Sequence, residues 1–156
     1  MNQTIFLGGT CGKNNWRDGL IDRLVARGIP QESLFNPVVL DWNEEAQKRE
    51  DDLKADPNVK MLYYFSHTQN EVDKLRSTEE SGNYFLSFYS LFEAVTGLYD
   101  APFRTIIVID QTDIVPRAAK RLLKVANDLR RRFPGAPIFD SLSEAEDWLV
   151  ADLIKR

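Results

Sequence analysis

Ile5-Phe6-Leu7-Gly8-Gly9-Thr10-Cys11-Gly12-Lys13-Asn14-Asn15-Trp16-Arg17 decides the fold. Residues 4–7 are β-branched or apolar, as a buried strand requires. Gly8, Gly9 and Gly12 then allow a sharp turn and a close backbone approach. From Trp16 the apolar residues switch to helical spacing, at Leu20, Ile21, Leu24 and Val25. The pattern is strand, glycine-rich turn, helix, with the turn at the carboxyl end of the strand. Ligands of open parallel sheets bind at that edge. The turn is neither common phosphate loop: Leu7 stands where a Walker sequence needs glycine, and Asn14 where it needs Ser or Thr. Counted from Gly8, Thr10 and Lys13 break the dinucleotide fingerprint. The plainer alternative is a tight turn that binds nothing.

Outward from this stretch the alternation continues. Arg27-Gly28-Ile29-Pro30 closes the first helix. Residues 34–40 read as a second strand, placed at a sheet edge by Pro37. A polar helix to about Ala55 follows, opened by Asp41-Trp42-Asn43-Glu44 with Asp41 as N-cap. Only Ala46 and Leu53 in it are expected to face a core, so it should be loosely held. A third strand covers 59–65, then a long polar segment, 66–81, has the length of a lid or binding loop. Residues 84–99 form a helix that is apolar around most of its circumference. The clearest strand is 104–110, a continuous apolar run fit for a central parallel position. A helix over 115–132, a minimal strand at Ile138-Phe139 and a last helix opened by Ser143-Glu144-Ala145-Glu146 complete the chain. Five alternations give one α/β domain over 1–156 with a parallel sheet.

Composition narrows the partners. The 156 residues are 43% hydrophobic and 28% charged, an ordinary globular balance with room for a core. A net charge of −4 argues against a broad nucleic-acid surface. The run Arg130-Arg131-Arg132 is better placed to complement a helix C-terminus. No segment approaches the roughly 20 apolar residues of a membrane span, and no secretion signal is visible. A single cysteine, Cys11, fits a reducing, cytoplasmic compartment.

The chemistry-bearing residues are few. One histidine, His67, and one cysteine cannot form a usual zinc set, and no cofactor is called for. No nucleophile elbow is present, so His67 reads as a loop residue or a ligand contact. Glu93 is the notable carboxylate, set among Tyr89, Leu91, Phe92, Ala94 and Val95 on a helix expected at the carboxyl edge. Buried carboxylates are paired or functional. Equally, Glu93 could fall on a solvated stripe with Ser90 and Gly97. Asp41 and Asp110 both end strands and both also read as cap or turn formers.

Three stretches carry a resemblance. Phe6-Leu7-Gly8-Gly9-Thr10-Cys11 with Trp16-Arg17, Phe35-Asn36-Pro37-Val38-Val39 with Asp41-Trp42, and Ser90-Leu91-Phe92-Glu93-Ala94-Val95 occur in register. Together the chain resembles the nucleoside 2-deoxyribosyltransferase-like family. The resemblance implies a five-stranded parallel sheet with helices on both faces, close to the flavodoxin-like or Rossmann-like arrangement. It implies transfer of a 2-deoxyribosyl group between bases, or hydrolysis of the N-glycosidic bond of a nucleoside or nucleotide. Glu93 would then be the nucleophile and Asp41 a contact to base or sugar. Gly8, Gly9 and Thr10 would line the sugar pocket. Trp42, Tyr63 and Tyr89 are aromatic rings able to stack on a base. The better-known transferases carry an aspartate shortly before the nucleophile; here no acid stands between Gly82 and Phe92. A binding protein for a nucleotide-derived small molecule, without turnover, is the alternative. The apolar excess of the 84–99 helix further predicts a homodimer or higher homo-oligomer. Phe85, Phe88, Phe92 and Val95 are expected on one of its sides, with Tyr84, Leu91 and Leu98 on another.

Overall fold

The computed structural model describes residues 3–9, 16–38, 43–66, 88–112 and 116–154. Strand β1 (Thr4–Gly9) leads into helix α1 (Trp16–Ala26), and a 3-10 turn (Gln31–Ser33) precedes β2 (Leu34–Phe35). Helix α2 (Glu44–Ala55), β3 (Val59–Phe65), α3 (Phe88–Asp100), β4 (Thr105–Ile109), α4 (Pro116–Arg132), β5 (Ile138–Phe139) and α5 (Leu142–Ile154) follow. The five strands form one parallel sheet in the order β2-β1-β3-β4-β5. This is the α/β, flavodoxin-like arrangement, and its topological switch point lies between β1 and β3. Among the described residues no helix is long and apolar enough to cross a membrane.

Period-two alternation sends neighbouring side chains to opposite faces. Ile5, Leu7, Leu62, Tyr64, Ile106 and Val108 meet Trp16, Leu20 and Leu24 of α1 and Ala145 and Leu149 of α5. Phe6, Met61, Tyr63, Phe65, Ile107 and Ile109 meet Ala94 and Leu98 of α3 and Ala126 and Leu129 of α4, with Leu53 of α2 packed alongside. The central strands are therefore buried on both faces, which explains their nearly unbroken apolar runs.

Several local details differ from expectation. Strand β2 is two residues long and stops before Asn36, whose side chain instead accepts a hydrogen bond from the Val38 amide. Pro37 cannot donate to a ladder, and β2 does lie at the sheet edge. The α2 N-cap is Asn43, which accepts from the Ala46 amide at 2.9 Å, so the role expected of Asp41 is filled two residues later. The α5 cap is Ser141 rather than Ser143: Ser141 Oγ accepts from the Glu144 amide, and the Glu144 carboxylate accepts from the Asp140 amide. Asp110 is a turn former, accepting from the Thr112 amide and from the Tyr64 hydroxyl, each at 2.8 Å. In the arginine run, Arg130 binds Asp140 at 2.7 Å and the Ile138 carbonyl.

The glycines of β1 have an internal cause. A Cβ on Gly8 would lie 2.7 Å from the Tyr63 ring, and one on Gly9 would lie 2.2 Å from the Tyr64 carbonyl oxygen. Gly9 also has φ of +109°, whereas Gly28 has φ of +90° with nothing within 4 Å of its added Cβ. Gly28→Ala therefore meets only the left-handed penalty, about 1–2 kcal/mol. Gly9→Ala adds a backbone clash worth about 1–3 kcal/mol on top of it. Urea denaturation of both variants should show Gly9→Ala as the clearly weaker protein.

Candidate functional site

The site is built from two helices standing on the same face of the sheet. Helix α2 runs antiparallel to the strands, as crossover helices do, and its residues Glu50, Leu53 and Lys54 recur at three- and four-residue spacing. That face turns inward. Glu50 is buried, Leu53 packs on the core, and Lys54 extends beneath Glu50 to lie 5.0 Å above the Phe6 ring. The inward face of α2 is thus charged rather than apolar, contrary to the expectation that only Ala46 and Leu53 would face a core.

Helix α3 starts at the carboxyl edge of the sheet, where the Ser90 hydroxyl donates to the Gly9 carbonyl oxygen at 3.4 Å. Leu91, Ala94, Val95 and Leu98 form the side that meets the sheet. Gly97 lets that side approach closely, since a Cβ there would stand 2.8 Å from Thr105 Oγ1. Phe92 is turned outward with Tyr89 and Tyr99, so Phe92 and Val95 do not share a face as expected. Ser90 and Gly97 are buried, which removes the reading of Glu93 as part of a solvated stripe. Glu93 points inward to α2, its side chain 14% exposed.

There the two helices meet. Lys54 Nζ donates to Glu50 Oε2 at 3.0 Å and also to Glu93 Oε1. One ammonium thereby holds two carboxylates that come from different helices. Among the described residues Glu93 has no other hydrogen bond, so its Oε2 stays available. Burial raises the Glu50 carboxyl above its ordinary 4.5, outweighing the Lys54 hydrogen bond and charge that lower it; Glu93 and Asp51 push it further up. Burial opposes the charge on Lys54, yet its bonds to Glu93 and Glu50 hold the ammonium above the usual 10.5. The Tyr63 phenol is pushed up, first by burial and then by the charges of Glu93 and Glu50. A cavity of about 180 Å³ opens beside the group, lined by Lys54, Met61, Tyr63, Phe92, Glu93 and Thr96 among others. A larger groove of about 890 Å³ runs between α2 and the β2 edge of the sheet, lined by Leu34 and Phe35 on one side and by Glu45, Lys48, Arg49 and Asp52, of both signs of charge, on the other.

The residues singled out in the sequence fare differently. Glu93, Gly8 and Tyr63 come together, since Gly8 pairs with Tyr63 in the sheet. Tyr63 is 1% exposed, with its ring filling the space over Gly8, so it is a wall of the site and not a platform for stacking. Tyr89 is exposed on the outer side of α3. Thr10, Asp41, Trp42 and His67 lie outside the described residues, as do most of the 66–81 segment and residues 84–87. Glu50 and Lys54 were missed. Their signal was a Glu–Lys pair at i, i+4 beside Leu53, the one large apolar residue of α2. Arg17 was missed as well: it is buried, and its guanidinium donates to the Leu7 carbonyl at 2.8 Å and the Gly9 carbonyl at 3.3 Å, tying α1 to the end of β1.

Comparison with protein-family models, characterised proteins and solved structures gives no match to this chain.

The charges make stability depend on pH in a defined direction. Glu50 binds its proton more tightly folded than unfolded, so its contribution is fully present below 4.5 and is lost as pH rises through the raised folded value. Glu50→Gln mimics the protonated form and escapes that loss. Thermal melts from about pH 4 to about pH 8 should show the variant gaining on wild type as pH climbs. A constant difference across the range refutes the assignment. Lys54 acts at the other end, stabilising below 10.5 and ceasing to do so as pH passes its raised folded value.

Proposed function

We propose that this chain cleaves or transfers N-glycosidic bonds of nucleosides or nucleotides, as its resemblance to the nucleoside 2-deoxyribosyltransferase-like family implies. The observation that supports this reading is the pair of carboxylates, Glu50 and Glu93, converging on one ammonium over Phe6 of β1, beside a cavity walled by Tyr63 of β3. Glycosidic chemistry needs two carboxyl groups in different protonation states. Burial, which raises the Glu50 carboxyl, suits it to the acid's role, and the Oε2 that Glu93 keeps free of hydrogen bonds among the described residues suits it to the nucleophile's.

In this reading Glu93 Oε2 attacks the anomeric carbon as the bond to the base breaks. The bonding pair leaves with the base nitrogen, which takes the Glu50 proton. A glycosyl ester on Glu93 results, and the approaching Glu93 oxygen stabilises the oxocarbenium-like state on the way to it. In the second half a new base or a water attacks the same carbon, Glu50 removes its proton, and Glu93 is released. Glu50 thus supplies the acid that the segment before Glu93 lacks. Asp41, Trp42 and His67, each following a strand in sequence, are assigned to base and sugar contacts, with Gly8, Gly9 and Thr10 at the sugar. The single cysteine fits work in a reducing, cytoplasmic compartment.

Incubation with 2-deoxynucleosides, with and without a second free base, tests the reaction by chromatography of the products. Glu93→Gln should fall to background. Glu50→Gln should lose about 100- to 10,000-fold on ordinary bases. It should lose far less on an N7-methylated purine nucleoside, whose base leaves without a proton. Full activity in Glu93→Gln refutes the mechanism. A ligand that raises the melting temperature yet is recovered intact would make the chain a binding protein instead.

The same reading includes a homodimer through α3. Tyr89, Phe92, Tyr99 and the nearby Phe103 are each more than 60% exposed. Aromatic rings of this size offer roughly 500 Å² between them. That is over half of the roughly 800 Å² per partner in a stable interface. Phe92 also lines the cavity beside Glu93, so a second copy seated there would close the site. Light scattering at low micromolar concentration should give twice 17.9 kDa, and Phe92→Glu should return the monomer mass.

A further inference from the structure

We infer that Lys54 is the positioning residue of this site: its ammonium takes one oxygen of each carboxylate and so fixes which oxygens of Glu50 and Glu93 meet the substrate. The inference rests on the glycosidic reading above. Its ground is geometric. Lys54 reaches Glu50 within its own helix and Glu93 on the facing one, using Oε2 of the first and Oε1 of the second. The side chain is 18% exposed, and the Phe6 ring lies under the ammonium at 5.0 Å. The carboxylates come from two helices that share little other direct contact, so nothing in the backbone sets their mutual orientation as closely as this shared donor. Without that cation the two carboxyl groups would share no donor to fix which of their oxygens face the substrate, and Glu50 would bind its proton more tightly still. Lys54 also lies on the oxygen of Glu93 that does not attack, which keeps its charge off the line of bond formation.

A lysine that merely ties α2 to α3 would show itself in stability alone. Lys54→Arg separates the two roles, because arginine keeps the charge and the tie but presents its donors in a different, planar geometry. The variant should melt close to wild type while its kcat falls about 100-fold with KM little changed. Lys54→Met should fall at least as far. It should also move the pH profile, since Glu50 would then face Asp51 on its own helix, Glu93 on α3 and Tyr63 on β3 with no cation. Carbon-13 NMR of the Glu50 carboxyl, assigned with Glu50→Gln, should show its titration displaced upward in Lys54→Met. Should Lys54→Met fail to fold, Lys54→Met combined with Glu50→Gln removes the repulsion. That double variant should then be slower than Glu50→Gln alone on the N7-methylated purine nucleoside.

Wild-type kcat in Lys54→Arg and Lys54→Met overturns the inference. So does an unmoved Glu50 titration. If the wild-type protein turns over no glycoside at all, the reaction falls, and the titration alone decides whether Lys54 governs the carboxylate pair.

Discussion

Everything near the site depends on how closely β1 lies against β3. No side chain separates the ends of the two strands: Gly8 leaves room for the Tyr63 ring, and Gly9 sits against the Tyr64 backbone. The first turn of α3 can then reach the Gly9 carbonyl through Ser90, which brings Glu93 over Tyr63 one turn further on. Any larger residue at position 8 would lift Tyr63, and Glu93 would lose its wall. The glycine-rich character of this stretch is thus first a packing requirement. Ligand access through the same turn is compatible with it but is not needed to explain it.

Burying charge between α2 and α3 is expensive, and apolar residues of similar size at positions 50 and 54 would dock α2 as well or better. Folding alone therefore gives no reason for Glu50 and Lys54. Other ion pairs have an exposed partner, as where Arg23 on α1 and Arg27 just beyond it meet Glu146 and Asp147 on α5. Lys60 is another inward cation, and it is matched by Asp152 at 3.1 Å and the face of Trp148. That pair joins a strand to a helix on the opposite face of the sheet and has no carboxylate to spare.

The architecture was legible because its signals are periodic. The run at β4, the strand–turn–helix at β1 and α1, and the edge position of β2 through Pro37 each follow from one local rule. The caps were less legible, since Asp41 and Asn43, or Ser141 and Ser143, satisfy the same chemistry two residues apart. The aromatic crowd on α3 allowed more than one choice of inner face. Ala94 and Gly97 settled it, being small enough for contact, which a count of large apolar residues overlooks. Glu93 stood out because its neighbours are apolar. Glu50 and Lys54 did not, because a glutamate and a lysine four apart on a polar helix look the same whether they face water or a third charge. Only the chain's return at α3, thirty-nine residues beyond Lys54, distinguishes the two.

The way α2 is attached has a dynamic consequence. Its grip on the sheet is Leu53, the Arg49 guanidinium 4.8 Å over Phe35, and the Lys54 contacts to Phe6 and Glu93. Such a helix is a candidate for sub-global opening at a free energy well below that of the whole domain. Each opening would carry Glu50 and Lys54 away together and leave Glu93 behind on the better-anchored α3. Charge state and helix docking are then a single variable: salt, pH or a ligand that alters the triad also sets how long α2 stays down, and its backbone amides would record this as their rate of hydrogen exchange.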